Sequence, residues 1–507
     1  MTSTAPDTTA SHDGTPEHLD VLIVGAGISG IGVARYLTVE LPETSFALLE
    51  AREASGGTWD LFRYPGIRSD SDLHTFGYEF KPWRDKKSIA SAEPILDYLR
   101  DTASEYGIDE KIRYHHKVQS AEWSSETARW TVHIERGDTG ETTELTCSWI
   151  FSASGYYRYD EGFTPHFEGR ERFTGPVIHP QHWPEDLDWT GKKVVVIGSG
   201  ATAVTLVPAM AEKAELVTML QRTPTYIMPV PSEDPLANWL PKVVGADRAY
   251  KITRRKNILQ QSLVWKFCQR FPDAARKVIR TANAKRLPEG FDVDTHFNPP
   301  YDPWTQRLCA VPDGDLFKSI REGKADVATA HIKTFTETGI ELENGEHLDA
   351  DIIITATGLN LLPFGGLEMT VDGEKIDLPD HVAFRGMMLS DIPNYAYAIG
   401  YTNSSWTLKV GLLCEHFCRV LAHMQENDLD ICVPHVDDPE MPRRPFLDFA
   451  AGYVQRSIDL LPKQGPDKPW LMSMSYATDV EVLRKGDVEH PELHFSKAGS
   501  LAKAVAS

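Results

Sequence analysis

The chain has 507 residues, of which 41% are hydrophobic and 25% are charged. This length predicts two or three domains, and this composition excludes disorder of the whole chain. The formal net charge of -21 argues against a nucleic-acid partner, so any phosphate-binding surface has to be local.

The N-terminal residues 1–18 are rich in Ser, Thr and Asp and contain no apolar run. We expect a disordered tail rather than a signal peptide. The six cysteines are scattered and stand beside no metal-like histidine spacing, so we expect reduced thiols. No later stretch reaches the roughly 18 apolar residues of a spanning helix. Together these features predict a cytoplasmic protein.

The first motif is LDVLIVGAGISGIGVARYL, an apolar run followed by glycines and then a helical pattern. Gly25 allows a tight turn, Gly27 lets the backbone approach a pyrophosphate, and Gly30 lets helix and strand pack closely. Ser29 belongs to the same turn. The next strand, SFALLE, ends at Glu50, whose carboxylate can bind both ribose hydroxyls of an adenosine. The order strand, turn, helix, strand predicts a dinucleotide site.

A second small-residue turn, GGTWD, follows and contains Gly56 and Gly57. Its backbone amides would contact the same ligand, and a long dinucleotide needs such a second contact, so FAD is the predicted occupant. Val118, at the end of KIRYHHKV, is either a backbone partner of the adenine or an ordinary strand residue.

A second fingerprint of the GxGxxA form follows the strand KKVVVIGSG, and its residues are Gly198, Ser199, Gly200, Ala201, Thr202 and Ala203. The next strand, ELVTMLQRTP, ends with Gln221, Arg222 and Thr223. An arginine there accommodates a 2′-phosphate that a carboxylate would repel. NADPH rather than NADH is therefore predicted, the alternative being that Arg222 is an ordinary surface residue.

Two buried strands that end in small-residue turns, WIFSASG at 149–155 and DIIITATG at 351–358, resemble crossovers between the nucleotide domains. The predicted fold class is α/β, with two doubly wound, Rossmann-like domains and a helical insertion. The predicted organisation is a tail at 1–18, an FAD-binding domain at 19–155 and 380–507, an NADPH-binding domain at 156–225 and 325–379, and a helical insert at 226–324.

The helical insert is locally basic. Between residues 242 and 286 there are thirteen Lys or Arg, and the acids are only Asp247 and Asp273. This pattern is typical of a solvated helical face. The alternative is a basic surface that binds an anionic membrane or steers an anionic cofactor.

The stretch FTGPVIHPQHWP has neither helical nor strand periodicity, and its Phe173, Gly175, His179 and Trp183 match the pattern FxGxxxHxxxW. By this fingerprint the sequence resembles the Baeyer-Villiger monooxygenases, a family of class B flavoprotein monooxygenases. The stretches RYPGIRSD, GGTW and PWTQRL are most similar to its ethionamide-activating type. Two dinucleotide sites would also suit a disulfide reductase, but no cysteine precedes Cys147 to form its redox pair.

The resemblance implies an NADPH- and O2-dependent FAD monooxygenase that converts ketones to esters or lactones through a C4a-peroxyflavin and also oxidises sulfides. The alternatives are a flavin-containing monooxygenase specialised for N- or S-oxygenation and a flavin-bound redox sensor without turnover. In the family, the fingerprint lies on a linker that adjusts the placement of the two cofactors. The resemblance predicts neither the physiological substrate nor the oligomeric state.

By the same resemblance, Arg307 is the active-site arginine that stabilises the peroxide, and Asp70 is the acid that orients it. An arginine stays protonated in an apolar pocket, and the acid spares it from being an unpaired buried charge. The alternative for each is that it is an ordinary surface residue. Gln306 stands where many relatives carry a lysine, so the preference for NADPH would rest on Arg222.

The remaining family positions fall in two groups. Arg68 and Ser69 would contact the nicotinamide half of NADPH. Trp406 is either a pocket residue or, more simply, a core aromatic. The residues expected along the flavin ring and ribityl chain are Thr58, Trp59, Asp60 and Leu61.

Overall fold

The computed structural model describes residues 16–306 and 308–499. Most of the predicted tail therefore lies outside the described residues. Two mainly parallel sheets carry the nucleotide motifs, which confirms the α/β fold class. In spatial order, the first sheet contains Glu374–Lys375, Glu368–Val371, His116–Ser124, Arg129–Arg136, Thr142–Ser152, His18–Val24, Phe46–Leu49 and Ile112–Arg113, and Tyr395–Tyr397 pairs with Thr142–Ser152.

The strand His18–Val24 lies between two parallel neighbours, Phe46–Leu49 and Thr142–Ser152. Its side chains alternate between two cores: Val21 and Ile23 pack on one face of the sheet, and Leu22 packs on the other. A strand buried on both faces reads as a continuous apolar run, as LDVLIV does. The core layers fix the carboxyl end of this strand, where the first glycine turn begins.

The second sheet is parallel throughout its described pairs, with the spatial order Ala325–Thr329, Leu216–Gln221, Lys193–Ile197, Ile352–Thr355 and Val177–Ile178. The predicted crossover strand at 351–358 thus ends beside the strand of the second fingerprint. In a parallel sheet the carboxyl ends of neighbouring strands meet at one edge, which is the usual place for a ligand.

One predicted boundary is wrong. The NADPH domain was expected to extend to residue 379, but Glu368–Val371 pairs in parallel with His116–Ser124 in the first sheet. The chain has therefore returned to the first sheet before residue 368. The paired segments are about 250 residues apart in the chain, so no local sequence pattern could predict the pairing. The other predicted boundaries remain proposals.

The insert is not purely helical. Tyr226–Val230 and Leu308–Pro312 form a parallel pair at its two ends, and Asp315–Arg321 is a helix that packs against Ala201–Met210. The described α-helices are Ile28–Glu40, Thr58–Leu61, Leu73–Phe76, Ala92–Glu105, Ala201–Met210, Pro235–Trp239, Pro241–Val244, Ala246–Arg270, Pro272–Ala284, Val293–Phe297, Asp315–Arg321, Trp406–Glu426, Gly452–Gln455 and Tyr476–Asp479.

Small strand sets complete the structure: Ile332–Thr336 with Gly339–Leu342 and His347–Asp349, Leu359–Leu361 with Tyr157–Gly162, Ala383–Phe384 with Met388–Leu389, Ile431–Pro434 with Leu493–Ser496, and Arg444–Pro445 with Lys463–Gln464. All six cysteines are buried, and no disulfide links them within the described chain. Over residues 16–306 and 308–499, no helix is long and apolar enough to cross a membrane.

Candidate functional site

A single cavity of about 1220 Å³ lies between the two sheets and the insert. It is larger than the roughly 300–1,000 Å³ of an ordinary small-molecule pocket. Residues of the first glycine turn and of the first turn of the second fingerprint helix line the same space. The predicted site residues that line it are Gly25, Gly27, Ser29, Glu50, Gly57, Thr58, Trp59, Arg68, Ser69, Asp70, Val118, Ala201 and Thr202.

The glycines of the two fingerprints are required for different reasons. Gly25 has φ +103°, and a Cβ there would lie 2.9 Å from the Ala153 carbonyl oxygen. A Cβ on Gly30 would lie 2.0 Å from the Gly25 oxygen, and one on Gly198 would lie 2.3 Å from the Ala356 oxygen. These glycines are demanded by the turn and by the close approach of helix and strand.

The middle glycine of each fingerprint, Gly27 or Gly200, is not required by a steric conflict within the protein. A Cβ on Gly200 would meet no atom within 4 Å, and one on Gly27 would meet the Gly57 Cα at 3.6 Å, an ordinary contact. Both residues also have φ values open to any amino acid. The protein's own packing therefore leaves room at both positions. A phosphate group that approaches the backbone at a helix N-terminus fits this room.

Glu50 is poised as a carboxylate at the edge of the cavity. Its Oε2 accepts the Ala26 N–H at 2.9 Å, and its Oε1 accepts the Arg52 N–H at 3.1 Å. Burial raises the pKa of Glu50, while these two hydrogen bonds and the nearby Arg52 charge act in the opposite direction. The residue is thus held in place at the cavity wall by the backbone.

Asp60 and Leu61 are not among the described residues that line the cavity, so their contact with the flavin remains a prediction. Asp60 is only 1% exposed, and its carboxylate binds Arg52 at 2.8 Å, Arg100 at 2.8 Å and Arg63 at 3.1 Å. A buried carboxylate needs such partners. Asp60 therefore holds the side chain of Arg52, which lines the cavity.

Asp70 lines the cavity, and so do its neighbours in the loop, Arg68 and Ser69. The Arg68 guanidinium forms a bidentate ion pair with Asp315, at the N-terminus of the helix Asp315–Arg321. The contact of Arg68 with NADPH thus remains a prediction. Arg307 lies outside the described residues. Trp304 and Leu308, on either side of it in the chain, both line the cavity.

The predicted 2′-phosphate segment lies outside the cavity. Gln221 is buried, and its side-chain amide donates to the His296 carbonyl at 2.8 Å and to Thr329 Oγ1 at 2.9 Å. These hydrogen bonds within the protein occupy the side-chain amide of Gln221. Arg222 and Thr223 are exposed at the end of the strand. The second-fingerprint residues outside the cavity are Gly198, Ser199, Gly200 and Ala203, of which Ser199 contacts Thr225 Oγ1 at 2.8 Å and Ala203 is in the core.

The fingerprint linker connects the two units by specific contacts. His179 Nδ1 accepts the Gln181 N–H at 3.2 Å, so Nε2 carries the proton and donates to the Gly358 carbonyl at 3.0 Å. Burial lowers the pKa of His179, which favours this neutral form. A Cβ on Gly162 would lie 2.0 Å from His179 Cε1. The linker is thereby fixed to the turn that ends the crossover strand.

The other fingerprint residues pack. Phe173 is buried beside the second sheet, and a Cβ on Gly175 would lie 2.2 Å from the Asp351 carbonyl oxygen. Trp183 packs against the core on the other face of that sheet, with its ring 6.0 Å from that of Trp189. These positions match a structural role for the linker, with no atom of the four residues on the cavity wall.

Sequence reasoning missed several residues of the site. Asp72 lines the cavity and accepts from the insert helix through Asn257 Nδ2 at 2.8 Å and Gln261 Nε2 at 2.6 Å. The Tyr159 hydroxyl meets Thr58 Oγ1 at 3.2 Å. No local motif marks these residues, because each contact joins segments far apart in the chain. Trp406, which was considered for the pocket, does line the cavity.

Comparison with known proteins places this arrangement in a family. A family model described as flavin-binding monooxygenase-like matches residues 78–378, and one described as an NAD(P)-binding Rossmann-like domain matches residues 23–85. The chain is 53% identical over 482 residues to the FAD-containing monooxygenase EthA of Mycobacterium tuberculosis, with coverage of 95% of this chain and 98% of that relative.

Solved structures share the fold. A steroid monooxygenase bound to NADP superposes with a TM-score of 0.74 at 22% identity, over 95% of this chain and 100% of that one. Cyclohexanone monooxygenase bound to epsilon-caprolactone gives 0.72 at 20% identity, again over 95% and 100%. The resemblance predicted from the fingerprints is confirmed by these matches: the chain belongs to the flavin-binding monooxygenase-like family.

Proposed function

We propose that this chain is an NADPH- and O2-dependent FAD monooxygenase that inserts one oxygen atom beside a carbonyl, with sulfide oxidation as a second activity. The observation that carries the proposal is one cavity lined by the first glycine turn, by Ala201 and Thr202 of the second fingerprint, and by Asp70. Two redox cofactors that share one cavity can exchange a hydride, whereas cofactors in separate pockets cannot.

FAD would be held by the first fingerprint. Gly25 and Gly27 bring backbone amides to the pyrophosphate, and Glu50 offers its carboxylate to the ribose hydroxyls. Thr58 and Trp59 would lie along the ring system, and Val118 borders the adenine end. A Cβ added at Gly27 or Gly200 would clash with no protein atom, which is consistent with glycine being kept there so that a pyrophosphate can approach the backbone.

NADPH would enter at the second fingerprint, with Ala201 and Thr202 at its pyrophosphate. Arg222 is exposed at the strand end, where a 2′-phosphate would reach it from solvent. Arg68 and Ser69 line the same cavity as Ala201 and Thr202. Their contact with the nicotinamide half remains part of the proposal.

The reaction consumes a ketone, O2, NADPH and one proton, and yields an ester or lactone, water and NADP⁺. Bound FAD would supply the two-electron activation of O2. The chain's own residues would exclude water, position the ketone and supply charge. The apolar wall of Phe62, Ile67, Phe76, Trp304 and Leu308 serves the first purpose.

Arg307 and Asp70 would supply the charge. An arginine beside the reacting carbonyl stabilises negative charge that develops on oxygen, and Asp70 would orient its guanidinium. Support comes from the sequence motif PWTQRL, from the cavity position of Asp70, and from the cavity-lining neighbours of residue 307. The names of the relatives support the same chemistry: EthA is called an FAD-containing monooxygenase, and the cyclohexanone monooxygenase holds a lactone.

The test is product identification. Purified protein with FAD would be given NADPH, air and a panel of linear, cyclic and aryl ketones and a thioether, and the products would be identified by mass. Esters or lactones are the expected result. Sulfoxide as the only product would favour an enzyme specialised for heteroatom oxygenation. Bound FAD with no ketone- or sulfide-dependent NADPH consumption would favour a redox sensor.

A further inference from the structure

Large exposed apolar side chains are concentrated in the insert. Over the described residues, only Val39 and Leu460 belong to this class outside it. Those inside form what we call the insert face: Leu236, Trp239, Val243, Ile252, Leu259, Leu263, Val264, Phe267, Phe271 and Val278. Single exposed apolar residues need no explanation, but their concentration in one segment of the chain marks an interaction surface.

Part of the insert face follows one side of the helix Ala246–Arg270, and other members lie on Pro235–Trp239, Pro241–Val244 and Pro272–Ala284. Ile252, Leu259, Leu263 and Phe267 are spaced by seven, four and four residues, so they form one stripe along the helix. The opposite side of the helix is anchored to the protein. Tyr250 donates to the Tyr78 carbonyl at 2.8 Å, and Arg254, Asn257 and Gln261 bond to the segment 72–77. The stripe therefore faces away from the molecule.

The charge around the insert face is opposite to that of the whole chain. Thirteen Lys or Arg stand between residues 242 and 286 against two acids, in a chain of net charge -21. The exposed cations on these helices include Arg248, Lys251, Arg255, Lys266, Arg270 and Lys277. Two copies that met through this face would bring like charges together. An anionic lipid surface is complementary both to the cations and to the apolar stripe.

The cavity opens beside this surface. Gln260, Gln261 and Val264 of the same helix line the cavity, and Val264 is also 37% exposed. Its side chain therefore stands at the boundary between the cavity and the insert face. A molecule dissolved in a lipid layer under the face would reach the cavity past Val264.

We propose that the insert face docks in the plane of an anionic membrane surface and that the cavity takes its lipophilic substrate from that surface. The docking part is independent of the function proposed above, whereas the substrate part rests on it. Apolar side chains would enter the interfacial layer while the lysines and arginines contact anionic headgroups.

The experiment is cosedimentation of the full chain, loaded with FAD, with phosphatidylglycerol-containing vesicles and with pure phosphatidylcholine vesicles. The stripe variant, L259S/L263S/F267S, removes apolar side chains from the insert face. The charge variant, R255Q/K266Q/R270Q, removes exposed cations. The control, V39S/L460S, replaces exposed apolar side chains outside the insert. All substituted side chains are exposed, so the fold should be kept.

We expect binding to the anionic vesicles at low salt, with weak binding to the neutral ones. Each lost cation should weaken partitioning by about fivefold, so the charge variant should lose about a hundredfold. The stripe variant should lose at least as much because three apolar side chains leave the interface. The control should bind like the wild type.

Equal vesicle binding by the insert-face variants and the control would overturn the docking proposal. The docking proposal would also be overturned if the insert-face variants bound vesicles normally but sedimented as monomers where the wild type is a dimer. A second copy of the chain would then be what covers the insert face. For the substrate part, vesicles should accelerate oxidation of a long-chain ketone by the wild type and not by the stripe variant. Equal rates on a water-soluble ketone would show that the variant's chemistry is intact, and no turnover on either would fault the proposed function alone.

Discussion

Trp406 donates its indole N–H to Ser29 Oγ at 3.0 Å. The contact joins the first turn of the helix Ile28–Glu40 to the start of the helix Trp406–Glu426, across most of the chain. The same indole stacks on Tyr156, with the ring centroids 5.3 Å apart, and lines the cavity. The C-terminal part of the chain thereby stabilises the glycine turn that would hold FAD.

Trp406→Phe should loosen this turn while it keeps an aromatic ring at the cavity wall. Loss of one part-buried hydrogen bond should lower the free energy of unfolding by about 1 kcal/mol and speed FAD release. Trp189→Phe is the matched control, because the Trp189 indole N–H has no hydrogen-bond partner among the described residues. FAD fluorescence during thermal unfolding measures both effects. Equal FAD release from the two variants would contradict a role for the Ser29 contact.

Gly200→Ser tests whether the second fingerprint keeps its middle glycine for a ligand. Serine suits a helix N-cap, and its Cβ would meet no protein atom within 4 Å, so stability should be unchanged. The KM for NADPH should rise by about tenfold or more, equivalent to ~1.4 kcal/mol of lost binding. Gly30→Ala is the contrasting case, because its Cβ would lie 2.0 Å from the Gly25 oxygen and should impair folding itself. Unchanged steady-state kinetics for Gly200→Ser would place the pyrophosphate elsewhere.

Arg222→Glu tests the origin of NADPH preference. If Arg222 binds the 2′-phosphate, its replacement by an acid should raise the KM for NADPH by about 10- to 100-fold, the range for a charge-assisted hydrogen bond. NADH lacks this phosphate, so its KM should change little and serves as the internal control. A parallel loss with both cofactors would remove Arg222 from 2′-phosphate recognition.

Stability should fall in mild acid because of His416. Its Nε2 accepts from Arg385 at 3.0 Å, and its Nδ1 donates to the Leu483 carbonyl at 2.8 Å. Burial, followed by the Arg385 charge, lowers the pKa of His416 from 6.5 to about 3. The folded state therefore binds this proton less readily than the unfolded state, so the stabilisation is complete above pH 6.5 and is lost progressively as the pH falls toward 3.

The loss of unfolding free energy should reach about 5 kcal/mol once the pH is below 3. Urea unfolding between about pH 7 and pH 5 measures its onset. His416→Gln keeps a donor and an acceptor without a titrating proton, so this variant should show a flatter dependence on pH. The same slope in both proteins would assign the acid sensitivity to other groups.

Sequence alone located the parts of the site that depend on local backbone requirements. Gly25, Gly30 and Gly198 could be recognised because a turn or a close approach excludes any side chain there, and Glu50 because it follows at a fixed distance. Asp60 could not be placed, because its partner Arg100 is 40 residues away and arrives only when the helix Ala92–Glu105 packs. The same holds for Asp72 and the insert glutamines. The strand Glu368–Val371 was misassigned for a related reason, since its pairing partner is fixed by the whole sheet.

The most direct test of the central claim follows the oxygen atom. Wild-type protein and Arg307→Ala would each be incubated with FAD, NADPH, a ketone and isotopically heavy O2. We expect one heavy oxygen in the ester made by the wild type, and flavin reduction without ester in the variant. Release of hydrogen peroxide without ester by the wild type, or an ester with no heavy oxygen, would contradict oxygen insertion by this enzyme. Undiminished ester formation by the variant would remove Arg307 from the reaction.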